Sequence, residues 1–244
     1  MAIVICLAGS ATMIAQEETG VKIGETTWAT RNVGSPGTFV ENPEDRGMLY
    51  QWNSKLGWSN ADPLEPSDGT SVWNGNWDGG GAESWERAND PCPCGWRVPT
   101  EEECEELITE DWEWLGNGIR LGSEDNFIFL PTVTRRGGID GALSGTSLSV
   151  GDYWSGSDIT GNSGFGFYFG NYRPATEPNY PYREALSIRC VKDETIGINP
   201  ILRDAENATV TGYFDISGRK LKAEPTKGLY IIQYDNGTAK KVMR

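Results

Sequence analysis

Short β-prone runs separated by turn residues recur along this chain, and one stretch has helical spacing. Val21-Lys22-Ile23 alternates apolar and polar, and Thr26 to Val33 is β-prone, so residues 16–33 predict a short strand. Arg46 to Trp52 fits a short helix or a strand equally well. Phe127-Ile128-Phe129-Leu130 predicts a short buried strand closed by Pro131. Asp152 to Ser157 and Gly164 to Phe169 predict two strands of a hairpin or meander. In the second, glycines alternate with aromatics, the pattern expected where rings pack over a close backbone. Residues 171–184 predict a polar, Tyr- and Pro-rich loop, and Leu186 to Val191 a closing strand.

The helical spacing follows Pro99. Cys104, Leu107 and Ile108 fall at i, i+3 and i+4, with Glu101, Glu102, Glu105 and Glu106 on the other face. Thr100 and Glu103 form a capping box at its start. The acidic first turn suits the positive end of the helix dipole. The preceding Cys92-Pro93-Cys94-Gly95-Trp96 makes a turn, so this region predicts a structural staple.

Residues 53–90 have almost no periodicity but contain Trp58, Trp73, Trp77 and Trp85 with three consecutive glycines, Gly79 to Gly81. A loop this long is either pinned by its own rings or forms a wall of a binding face. Beyond residue 193 come short β runs, Ala208 to Phe214, Leu229 to Ile232 and Lys240 to Met243, with Asn236-Gly237 as a hairpin turn between the last two. The domain reading is therefore a leader at 1–15, a main domain at 16–193, a linker at 194–202 and a small all-β unit at 203–244.

Composition narrows the function. Residues 1–15 are apolar and uncharged and end in Ala15, which reads as the core and cleavage site of a secretory signal peptide. They are too few to span a bilayer, and no later stretch qualifies. The expected location is extracellular or on the outer cell surface. Apart from Cys6 within that stretch, the cysteines are Cys92, Cys94, Cys104 and Cys190, an even number for which disulfides are the default in an exported chain. Net charge is −14, but the residues from Arg219 onward carry seven Lys/Arg against two Asp/Glu, leaving −19 on the rest. An acidic body argues against nucleic acid and anionic lipid as partners and permits cations and neutral glycans. The absence of histidine removes Ser-His-Asp and Cys-His catalysis and His-based zinc sites.

The landmarks from Trp28 to Asp193 resemble the Fibrobacter succinogenes major paralogous domain family. The matching pieces are WATRNVG, GMLYQW, CPCGWRVPTEEE, FLPTVTRRGG, GDYWSGS and SIRCVKD. The resemblance implies an α+β, C-type-lectin-like domain with long irregular loops, in an exported protein. It also implies a Cys92–Cys190 disulfide. Cys94 and Cys104 are additions to the family pattern and are expected to form a second bridge, Cys94–Cys104. The tail from Ser217 to Arg244 resembles the sorting domain of the type IX (Por) secretion system, through Gly228-Leu229-Tyr230-Ile231-Ile232 and Lys240-Lys241-Val242.

The expected function is an adhesin-like surface module, not an enzyme, that recognises a glycan or protein at the bacterial surface through aromatic, acidic loops. Candidate ligand-binding residues are Trp73, Trp77, Asp78, Asp152, Tyr172, Glu177, Asn179, Tyr180 and Tyr182. No cofactor is required by this reading. Glu177-Pro178-Asn179 matches the tripeptide that mannose-type C-type lectins use for calcium and sugar, so Glu177 and Asn179 are the candidate calcium ligands. The alternatives are a structural component of a surface assembly, and an enzyme related in fold to formylglycine-generating enzymes with Cys94 and Cys104 as a reactive pair.

Overall fold

The computed structural model describes residues 18–144, 149–158, 161–194, 210–215, 219–234 and 239–243. The leader read at 1–15, the linker from residue 195 on and the turns at 217–218 and 235–237 lie outside the described residues. The chain divides into two compact units that meet at Lys192/Asp193.

The larger unit is mostly β, which corrects the α+β, C-type-lectin-like expectation. Among the described residues there is one α-helix, Glu101–Thr109, set against several small antiparallel sheets. The reason lies in the sequence itself: helical spacing occurs in one stretch, and the segments expected as loops contain strands. Residues 171–184, expected as a loop, carry the strand Ala175–Pro181. Arg46 to Trp52 resolves as the strand Leu49–Gln51.

The helix starts as its residues dictate. Thr100 caps it, with Glu103 N–H donating to the Thr100 hydroxyl and Thr100 N–H donating to the Glu103 carboxylate. Arg97 locks the same carboxylate from the other side with two bonds of 2.7 and 2.6 Å. Cys104 and Leu107 are the buried positions of the helix. Its apolar face joins the cluster formed by Tyr153, Phe165, Phe167 and Phe169.

Those rings belong to a three-stranded sheet of Gly151–Asp158, Ser163–Phe169 and Ala175–Pro181. Its middle strand buries phenylalanines on one face and has Gly164 and Gly166 between them. A Cβ on Gly164 would stand 2.3 Å from Trp52, and one on Gly166 would stand 2.9 Å from Tyr180. The alternation read from sequence is therefore a backbone left bare so that rings can lie on it.

The closing segment is not one strand. Ala185–Leu186 pairs with Leu49–Gln51 in one sheet, and Val191–Lys192 pairs with Thr26–Trp28 and Trp96–Arg97 in another. Between them Ser187 bridges Tyr153. Cys190 is disulfide-bonded to Cys92, closing a span of 98 residues. The Cys94–Cys104 bridge does not form: Cys104 is a free thiol buried in the core by the packing of its own helix. Burial, then the neighbouring glutamates, push that thiol well above its ordinary value, which keeps it in the unreactive neutral form.

The smaller unit is a four-stranded antiparallel sheet in the order Lys220–Leu221, Val210–Asp215, Leu229–Tyr234, Ala239–Met243.

The bare backbone under the rings gives a direct test. Gly164→Ala is expected to cost about 1–3 kcal/mol of stability through overpacking against Trp52 and Trp154. Urea denaturation reads this, and an unchanged midpoint would contradict the packing described.

Candidate functional site: an acidic groove lined by tyrosines

The three-stranded sheet is irregular where it matters. Gly166 pairs with Glu177, but Gly164 pairs with Tyr180, so the outer strand holds one extra residue between those pairs. This is a β-bulge. In a regular strand, positions three apart face opposite ways. The bulge cancels that alternation, and Glu177 and Tyr180 both line one groove. The Asn179 N–H donates to Glu177 Oε1 at 3.1 Å and steadies the bulge.

The groove encloses about 390 Å³ and is lined by Asp152, Tyr168, Tyr172, Glu177, Asn179 and Tyr180, joined by Arg135, Val150, Pro181 and Glu184. Asp152 sits opposite Tyr168 on the paired strands. Tyr180 Oη donates to Asp152 Oδ1 at 2.6 Å, and Arg135 Nη1 approaches the same oxygen at 3.4 Å. Arg135 also lies 5.5 Å above the Tyr180 ring. Its Nε stands 2.9 Å from Glu184 Oε2, an ion pair by distance. The two atoms are aligned too poorly for a hydrogen bond, and neither has another partner. We therefore count the contact as charge attraction alone.

Burial sets the electrostatics. It raises Asp152 above the usual carboxylate range, against the pull of Tyr180 and Arg135. Glu184 is raised for the same reason, with Arg135 opposing. Burial works against the Arg135 charge, but Asp152 and Glu184 outweigh it and hold the guanidinium protonated. Burial, then the Asp152 charge, push the Tyr180 phenol up, so it stays neutral and donates.

Five of the nine residues read from sequence meet here: Asp152, Tyr172, Glu177, Asn179 and Tyr180. The other four do not. Tyr182 is buried and stacks on Trp52 at 4.5 Å. Trp77 donates from Nε1 to the Trp52 carbonyl at 2.7 Å. Asp78 is exposed and accepts from Gly80 N–H within its own turn. Trp73 packs edge-on to Trp58 at 5.2 Å and lines a separate cleft with Leu64, Val72 and Ile139. The tryptophans of residues 53–90 are thus mainly pegs that fix the segment. Buried amides help, with Asn53 donating to the Gly79 carbonyl and Gln51 to those of Asn74 and Arg183.

Sequence reasoning missed Arg135, Tyr168 and Glu184. Arg135 directly precedes the short strand Arg136–Gly137. Arg136 is buried, bonding to Ser59, Ala61, Asp62 and Gly141, while Arg135 faces the groove. The signal available was the two-residue alternation of a strand, which separates adjacent arginines. Glu177 and Asn179 were the candidate calcium ligands. Among the described residues no group of three or more His, Cys, Asp or Glu is placed to hold a metal ion.

The raised Asp152 has a consequence for stability. Its folded form holds a proton more tightly than the unfolded chain does. As pH falls from neutral through that raised range toward 3.8, the folded state takes up the proton first, and this group adds stability. Asp152→Asn removes the increment. The stability of the wild type relative to this variant is expected to grow on mild acidification, read by denaturant titration at each pH; a difference that shrinks would contradict the assignment.

No family model, curated protein or solved structure matches the chain.

Proposed function

We propose that this chain is an exported binding module that recognises a glycan through the groove between Arg135, Asp152, Tyr172, Glu177 and Glu184. One observation carries the reading: Tyr172 is a ring left 45 % exposed in a groove that also presents carboxylates, an amide and a guanidinium. Such a site offers a flat apolar face for a sugar ring and hydrogen-bonding groups for its hydroxyls. The groups are preorganised, because Asp152, Tyr180 and Arg135 already fix one another. Preorganisation reduces the ordering cost of binding.

Export is supported by two features. The Cys92–Cys190 disulfide is at home in an oxidising compartment. The resemblance of the landmark motifs to an exported paralogous family, and of the tail to a type IX sorting unit, points the same way. In this reading the smaller unit serves export or surface attachment and the larger one serves recognition.

A glycan array followed by calorimetry on the best binder, with and without calcium, tests the proposal. Tyr172→Ala is expected to weaken binding about 3- to 10-fold through lost ring contact. Its half-exposed position should leave folding intact. Binding that ignores Tyr172→Ala but is lost in Trp73→Ala would move the site to the other cleft.

A further inference from the structure

The charge balance of the groove is uneven. Asp152, Glu177 and Glu184 face it, with Arg135 as the one cation among its lining residues. Arg135 is already shared, 3.4 Å from Asp152 and 2.9 Å from Glu184. Glu177 receives the Asn179 N–H on one oxygen, which supplies a dipole and no charge. With every group ionised, the groove holds two more negative charges than positive ones.

The rings add to this rather than offset it. Tyr168 and Tyr172 stand 6.2 Å apart at 68°, forming an aromatic corner in the groove that Asp152 and Glu177 also line. Aromatic faces attract cations, as the carboxylates do. The face of Tyr180 is taken by Arg135, but no cation covers the Tyr168–Tyr172 corner among the contacts of the described residues. At longer range, a chain of net charge −14 repels polyanions and draws cations toward its surface.

We infer that the groove is built for a sugar bearing a protonated amine, so that its ligand class is an amino sugar. The inference rests on the glycan reading above and specifies the ligand. The ammonium would sit at the Tyr168–Tyr172 corner beside Glu177, supplying the positive charge that Arg135 leaves short. The hydroxyls would meet the Arg135–Glu184 edge, where a donor and an acceptor are imperfectly satisfied by each other. A carboxylated sugar would bring a fourth negative group into the same space. A neutral sugar would stack but leave the excess charge unanswered.

The test uses the full chain and a matched pair of probes: a short β-linked glucosamine oligomer and its N-acetylated counterpart, compared by calorimetry below the pKa of the amine. The free-amine oligomer is expected to bind about tenfold tighter, a difference of the size a close charge pair in a partly shielded groove supplies. Glu177→Gln should erase most of that preference, weakening the free-amine oligomer more than the acetylated one. Equal or tighter binding of the acetylated oligomer, still sensitive to Tyr172→Ala, would overturn the amine and keep the glycan site. Binding of both probes that ignores Tyr172→Ala and Glu177→Gln alike would overturn the glycan site as well. A lysine oligomer of equal charge that binds as tightly as the glucosamine oligomer would also overturn the inference, because charge alone would then explain the preference.

Discussion

A buried guanidinium organises the larger unit. Arg189 is 1 % exposed and donates to Asn32 Oδ1, the Ala29 carbonyl and the Phe129 carbonyl. Stripping water from such a cation is costly unless every donor direction is met. Burial lowers its pKa to about 10, still far enough above neutrality to keep the charge. The three acceptors come from the N-terminal sheet region and from Phe127–Pro131, so the cation fixes two separate sheets to the closing segment. Beside it, Asn32 donates to Tyr153 Oη, which donates onward to the Pro131 carbonyl. One residue further on, Cys190 is tied to Cys92.

The groove depends on that seam. Ser187 N–H donates to the Asp152 carbonyl, and Trp154 N–H donates to the Ser187 carbonyl, so the strand bearing Asp152 is clamped to the same segment. Glu184 precedes the clamp and reaches the groove from its other end. On the opposite face Tyr153 stacks with Phe167 and Phe169 at 5.5 and 5.9 Å. A rigid aromatic layer below and a clamped edge leave the outer strand as the place where geometry can vary. There the bulge at 177–180 turns a plain edge into one wall of the groove.

The sequence disclosed the parts governed by local rules. The capping box of Thr100 and Glu103 forms as read, and so does the pattern of bare glycines under rings at Gly164 and Gly166. What it hid was decided by distant pairing. The strand at Ala175–Pro181 looks like a loop because Pro178 and the charged and polar residues around it give no alternation. The bulge supplies the reason: an extra residue shifts the period in the middle of the strand. The closing segment looked like one strand because its apolar run does not show the switch between sheets at Ser187–Cys190. The expected Cys94–Cys104 bridge followed from the resemblance, in which these two cysteines are additions to the family pattern, whereas the helical face that carries Cys104 turns it into the core. For the site, Tyr172, Glu177 and Asn179 were legible as polar and aromatic residues close in sequence. Arg135 and Glu184 were not, because the sheets alone bring them together.

A backbone-amide NMR titration with oligosaccharide ligands tests most directly the proposal that the Arg135–Glu177–Tyr172 groove is the recognition surface. Shifts are expected to concentrate at Tyr168, Tyr172, Glu177, Asn179 and Glu184, with the core around Arg189 unmoved. Shifts gathered instead at Val72, Trp73 and Ile139, or none under saturating ligand, would contradict it.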